Sequence, residues 1–140
     1  MKLAEAAAGY SGKPLIVKLG IKEGFTIFVI NPPVNYYEML GKLPPAVSIK
    51  KNLSSETDFI HFFTENKKEY LSKLASLKKN LSKSGMLWIS WPKRSSKITT
   101  DLNENIIRDI ALKNGLVDVK VCAIDDIWSG LKLVYRLKDR

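Results

Sequence analysis

The chain has 140 residues, of which 45% are apolar and 26% charged, so we expect one domain over residues 1–140 with a sizeable core. A single cysteine excludes an intramolecular disulfide and a zinc site built on thiolates, and it indicates a reducing compartment. No apolar run reaches the ~20 residues of a membrane span, and the N-terminus is not typical of a signal peptide. We therefore expect a cytoplasmic protein without membrane contact.

The net charge of +9 comes from 23 basic and 14 acidic residues. Such an excess suits nucleic acid, an anionic membrane surface or a phosphorylated ligand as a partner. Its simplest explanation is a lysine-rich surface in contact with water, because net charge bears on solubility and nonspecific association. Charge alone therefore leaves the function open.

The first half of the chain alternates short helices with apolar strands. Pro14 and Gly20 bracket a predicted helix over residues 15–19. The nearly continuous apolar runs at residues 25–30 and 58–63 are typical of strands covered on both faces, which favours central positions in a parallel sheet. Two weaker elements complete this half, a helix over residues 35–40 and a strand over residues 46–49.

The second half begins with a lysine-rich helix, for which Thr64 is the predicted N-cap and Gly85 the predicted end. A strand over residues 86–91 then leads into a basic, serine-rich loop. Asp101 follows the loop with the spacing of a capping box, which predicts the start of another helix there.

The last two strands, residues 116–124 and 131–137, are joined by a short connector. They must pair antiparallel, because a parallel crossover needs about a dozen residues. Before them, helices alternate with strands, which predicts a mostly parallel sheet with helices on both faces. The predicted fold class is therefore a three-layer, Rossmann-like α/β fold that ends in an antiparallel C-terminal hairpin.

This order of elements resembles the Rossmann-like fold of class I methyltransferases. Residues 77–90 resemble the helix, glycine turn and fifth strand of that fold, residues 58–63 its fourth strand, and residues 114–116 the lead-in to its last hairpin. The resemblance covers residues 20–137 and implies a reduced methyltransferase-like topology that lacks the third strand and at least one helix.

Three segments, residues 9–15, 91–102 and 118–131, resemble more narrowly a bacterial family of small domains of unknown function. That resemblance implies the same reduced fold. It implies no reaction, because the family has no assigned activity.

The methyltransferase resemblance implies a place for S-adenosylmethionine (SAM), held by a glycine-rich turn after the first strand and a carboxylate at the end of the second. Here the first strand runs into Asn31, Pro32 and Pro33, and the second ends before Lys50 and Lys51. Both halves of the cofactor signature are absent.

The Asn-Pro-Pro sequence also resembles a motif of amino-methyltransferases acting on DNA. In those enzymes the motif follows the fourth strand and ends in an aromatic residue, whereas here it follows the first strand and Val34 stands in the aromatic position. We interpret it as a rigid turn that ends the strand.

The basic loop that begins at Lys93 is the best candidate for a binding site. It follows a strand and precedes a helix, at the carboxyl edge where open α/β sheets bind ligands. Its cations and hydroxyls could hold a phosphate or a carboxylate; the alternative is an exposed loop that only leads to a helix cap at Asp101. With the neighbouring strand ends, the predicted ligand-binding residues are Asn31, Trp91, Lys93, Arg94, Ser95, Ser96, Thr100 and Trp128.

Other polar residues are interpreted as structural. His61 and Cys122 lie within apolar strands and have no partner that the sequence reveals, while Asp125 and Asp126 suit a turn. Trp88 and Trp91 should face opposite sides of a strand. No combination of these residues predicts a catalytic or metal site.

The prediction for function is a non-catalytic or degenerate methyltransferase-like domain that binds an anionic small molecule or a protein partner at the carboxyl edge. One alternative is a SAM-dependent methyltransferase with an atypical cofactor turn. Another is a nucleic-acid accessory protein, in which lysines of the helix over residues 64–84 contact phosphates.

Overall fold

The computed structural model describes residues 13–140. Residues 9–12 of the first segment that resembles the small-domain family lie outside the described residues. The helices and strands are α1 Leu15–Leu19, β1 Thr26–Ile30, α2 Tyr36–Leu40, β2 Ser48–Ile49, β3 Thr57–Phe63, α3 Lys67–Asn80, β4 Leu81–Pro92, α4 Glu104–Lys113, β5 Leu116–Ala123 and β6 Trp128–Tyr135.

The six strands form one sheet in the order β2-β1-β3-β4-β6-β5. The pairs from β2 to β4 are parallel, whereas β6 pairs antiparallel with both β4 and β5. The predicted Rossmann-like sheet with an antiparallel C-terminal hairpin is therefore confirmed. The strand predicted over residues 46–49 is only two residues long and lies at the edge of the sheet.

Helices cover both faces of the sheet and enclose two apolar cores. One core lies under α3 and α4 and includes Tyr70 and Ile107, and the other lies under α1 and α2 and includes Leu19 and Tyr36. Trp91 belongs to the first core and Trp88 to the second, so these two rings face opposite sides as predicted.

The start of α3 differs from its predicted position. Its N-cap is Asn66, whose side chain accepts a hydrogen bond from the backbone N–H of Glu69 at 2.7 Å. Thr64 directly follows β3, and its backbone N–H donates to the carbonyl of Ser90 in β4 at 3.0 Å. The prediction of Thr64 as the N-cap was therefore wrong by two residues.

The predicted end of this helix at Gly85 was also wrong. The helix ends at Asn80, and β4 begins at Leu81, so Gly85 lies inside a strand. A Cβ atom on Gly85 would lie 2.8 Å from the carbonyl oxygen of Asp58. The glycine is needed for the close approach of two backbone segments, not for ending a helix.

Asp101 does not cap the helix that follows it. The N-cap of α4 is Asn103, which accepts from the N–H of Ile106 at 2.9 Å. The carboxylate of Asp101 accepts instead from the N–H of Lys67 at 2.7 Å and so stabilises the start of α3. The predicted capping box was wrong because tertiary contact gave this carboxylate a different helix.

Candidate functional site

The two crossover connections of the parallel sheet define its topological switch point. From β1 the chain passes through α2 to β2 on one side, and from β3 it passes through α3 to β4 on the other. The strand order therefore reverses between β1 and β3. In open α/β sheets, ligands bind at this switch point, beyond the carboxyl ends of the strands.

Asn31 occupies the switch point. It follows β1 with a left-handed backbone, φ 56°, a conformation that asparagine tolerates better than most residues. Its side-chain amide donates to the carbonyl of Phe63 and to a carboxylate oxygen of Glu69, both at 3.2 Å. The second carboxylate oxygen of Glu69 accepts from the hydroxyl of Thr64 at 2.6 Å. Asn31 is thereby tied to the end of β3 and the first turn of α3.

The basic loop lies at the same edge, directly after β4. The hydroxyl of Ser96 donates to the carbonyl of Lys93 at 2.7 Å, and that of Thr100 donates to the carbonyl of Glu65 at 2.5 Å. Both hydroxyls also accept from backbone N–H groups of their own loop. Of the predicted hydroxyl ligands, these two are thus engaged in holding the loop in place.

Arg94 and Ser95 are exposed, and their side chains have no hydrogen-bond or ion-pair partner among the described residues. The carboxylate of Asp101 is engaged at the N-terminus of α3, so it neither balances Arg94 nor leaves that helix end open to an anion. The cations of the loop that have no ion-pair partner among the described residues are the groups that could bind a ligand.

The two predicted aromatic ligands differ in burial. Trp91 is 7% exposed and packs in the core under α3 and α4, so its ring offers little surface to a ligand. Trp128 is half-buried at the start of β6, with its ring edge-on to Phe63 at 5.2 Å. Asp125 fixes its backbone by accepting from the N–H of Trp128 at 2.8 Å, in agreement with the predicted turn role.

A buried polar network beneath this edge was missed in part. His61 is fully buried and hydrogen-bonds through Nδ1 to the hydroxyl of Tyr36 and through Nε2 to that of Ser90, both at 2.8 Å. Its ring stacks on Phe63 with centroids 4.2 Å apart. Burial lowers the pKa of His61 from 6.5 to about 3, so the ring is neutral. The predicted structural histidine is buried and hydrogen-bonded, but no sequence spacing pointed to its two partners.

Among the described residues, no group of histidine, cysteine and carboxylate side chains could hold a metal ion. In the same part of the chain, every helix is too short or too polar to cross a bilayer.

No protein-family model matches the chain, and no curated protein matches it in sequence. Solved structures do match the chain in fold. A SAM-dependent methyltransferase from Aquifex aeolicus has a TM-score of 0.58 at 16% identity, covering 92% of each chain. The fold is that of the methyltransferases. A ribosomal protein L11 methylase from Lactobacillus delbrueckii subsp. bulgaricus has a TM-score of 0.56 at 11% identity, covering 87% of this chain and 75% of that one.

A third methyltransferase-like neighbour carries the cofactor. The magnesium protoporphyrin IX methyltransferase from Synechocystis PCC 6803, with bound SAM, has a TM-score of 0.53 at 11% identity over 87% of this chain and 74% of that one. At such low identities the similarity concerns the fold alone.

The residues at the switch point of this methyltransferase-like fold do not fit SAM. A glycine turn lets a nucleoside approach the backbone, whereas Asn31 adds a side chain that bridges to β3 and α3. Pro32 and Pro33, which follow, have no N–H to donate. After β2 ends at Ile49, Lys50 places a cation where a ribose-binding carboxylate is expected.

Proposed function

We propose that this chain is a degenerate methyltransferase-like domain that has lost its SAM site and binds an anionic small molecule at the carboxyl edge of the sheet. The observation that carries the proposal is the bridge from Asn31 to Phe63 and Glu69, which spans the switch point between β1 and β3 with a side chain where a cofactor turn would have a glycine. A ligand at this edge therefore has to use the neighbouring basic loop.

The electrostatics of the basic loop support an anionic ligand. Lys93, Arg94 and Lys97 lie within five residues of each other, and Asp101 is the one carboxylate in the segment from residue 92 to residue 101. Because Asp101 stabilises the start of α3, the positive charge of Arg94 is not offset locally. Guanidinium groups in this position favour phosphate or carboxylate oxygens.

Thermal unfolding with a panel of nucleotides and carboxylates tests the proposal. A bound anion at about a hundred times its Kd should stabilise the protein by about 2.7 kcal/mol, which raises Tm by several degrees. Arg94→Ala should abolish that shift and Arg94→Lys should restore part of it. Lys113→Ala, which removes an exposed cation from the last turn of α4, at the opposite edge of the sheet, is the control.

The second candidate function is a SAM-dependent methyltransferase, favoured by the fold of the structural neighbours. Isothermal titration with SAM and with its demethylated product separates the two. We expect no heat from either compound. Binding of SAM at micromolar concentration would contradict the proposed loss of the cofactor site and would favour a SAM-dependent methyltransferase.

A further inference from the structure

The three tryptophans of the chain differ in how much ring surface they leave open. Trp88 is fully buried and Trp91 is 7% exposed, whereas Trp128 is only half-buried. Trp128 begins β6 and pairs with Pro92, the last residue of β4, so it lies at the carboxyl edge of the sheet. It is therefore the tryptophan that can present its ring to a ligand at that edge.

The indole N–H of Trp128 confirms that part of this ring reaches the surface. The N–H of Trp88 donates to the carbonyl of Leu19 at 3.0 Å. The N–H of Trp128 has no hydrogen-bond partner among the described residues, and within that part of the chain no side-chain nitrogen or oxygen is both buried and unpaired. The N–H edge of the Trp128 ring is therefore open to water, whereas a buried tryptophan N–H usually finds a partner.

Contacts on the protein side hold the Trp128 ring in place. The ring lies edge-on to that of Phe63, at 5.2 Å and 90°, and packs against the core under α1 and α2. The carboxylate of Asp125 accepts from the backbone N–H groups of Ile127 at 2.9 Å and of Trp128 at 2.8 Å, which fixes the turn before β6. A ring that is already fixed loses little conformational freedom when a ligand stacks on it.

The basic loop begins beside this ring. The backbone N–H of Lys93 donates to the carbonyl of Ile127 at 2.7 Å, directly after the pair formed by Pro92 and Trp128. Arg94 follows Pro92 by two residues. Since two residues span at most about 7 Å of chain, one ligand of nucleotide size can contact both the indole ring and the cations of the loop.

We infer that the anionic ligand is a nucleoside monophosphate, whose base stacks on Trp128 and whose phosphate binds the basic loop. The inference rests on the proposed function and names the class of its ligand. Every base has a flat face, and stacking on an aromatic side chain strengthens binding about 5- to 150-fold. An aliphatic carboxylate such as citrate would use the cations alone. SAM has a base but no phosphate, so it would lack the contact with the loop.

Calorimetric titration with AMP, ribose 5-phosphate and citrate, at fixed low salt, separates the contribution of the base from that of the phosphate. AMP should bind the wild type at least about fivefold more tightly than ribose 5-phosphate does. Trp128→Leu should remove this preference and leave the affinity for ribose 5-phosphate unchanged, which would also show that the variant is folded. Arg94→Ala should weaken the binding of both phosphates.

Phe25→Leu is the matched control. Phe25 is also a half-buried aromatic residue packed against the core under α1 and α2, but it directly precedes β1 and so lies at the amino edge of the sheet. This variant should keep the preference for AMP. Trp128→Phe, which retains an aromatic ring, should keep most of it.

Indole fluorescence tests the contact without a substitution. Because Trp88 and Trp91 are shielded in the two cores, quenching by a stacked base should act mainly on Trp128. AMP should therefore quench the emission of the wild type, and ribose 5-phosphate should leave it unchanged.

Equal affinities of the wild type for AMP and ribose 5-phosphate would overturn the inference, as would a preference for AMP that persists in Trp128→Leu, or tighter binding of citrate than of AMP. If the two phosphates bind alike and Arg94→Ala abolishes both, the basic loop remains the anion site and only the contact with Trp128 is wrong. If none of the three anions binds the wild type, the proposed function is wrong as well.

Discussion

The buried histidine makes the stability of this protein depend on pH in a calculable way. His61 is the one histidine of the chain, and burial lowers its pKa in the folded state from 6.5 to about 3. Between pH 7 and pH 5 the folded state keeps a neutral ring, while the unfolded chain binds a proton with the ordinary pKa of about 6.5. The unfolded state thus binds more protons, and stability falls as the pH falls from about 6.5 towards 3. Proton linkage gives a loss of about 2 kcal/mol between pH 7 and pH 5.

Urea unfolding of the wild type and of His61→Gln, followed by circular dichroism at pH 7 and pH 5, measures this loss. Glutamine can donate to one hydroxyl and accept from the other, as the ring does between Tyr36 and Ser90, but it does not titrate. The carboxylates contribute equally to both proteins. The wild type should therefore lose about 2 kcal/mol more than His61→Gln over this interval. Equal losses in the two proteins would refute a neutral, buried His61.

Two further substitutions test the corrected boundaries of α3 and β4. Asn66→Ala should lower the free energy of unfolding by about 1 kcal/mol, because the start of α3 loses its side-chain cap, whereas Asn66→Asp should not. Gly85→Ala should lower it by about 1–3 kcal/mol, since the new methyl group would lie 2.8 Å from the backbone oxygen of Asp58. Both are measured by urea unfolding at pH 7. If Gly85→Ala left the free energy of unfolding unchanged, the two backbone segments could separate at little cost in free energy.

Short-range patterns predicted most of the elements correctly. The apolar runs at residues 25–30 and 58–63 became parallel strands β1 and β3. The short connector predicted over residues 125–130 required the antiparallel hairpin, although the last strand begins within it, at Trp128. The predicted ends of the helices and strands were less accurate where a residue type has more than one structural role. Gly85 has the residue type that commonly ends a helix, but it is a glycine of close approach inside β4.

The candidate site was predicted as a location rather than as a set of contacts. The sequence placed Lys93 and Arg94 after a strand, and the carboxyl edge follows from that placement alone. It gave no sign that Asp101 would stabilise α3 or that Trp91 would be buried. Those outcomes depend on which helix packs beside the loop, which is a property of the whole sheet.

Local sequence determined the alternation of helices and strands, the turn at Asn31 and the excess of cations, because periodicity, proline and charge act over a few neighbouring residues. The tertiary structure decided which distant residues meet. Only sheet register sets Lys120 opposite Lys132, and only the packing of α2 on β3 brings the hydroxyl of Tyr36 to His61. The physical reason is that such contacts join residues from separate elements, and no local pattern records which elements become neighbours.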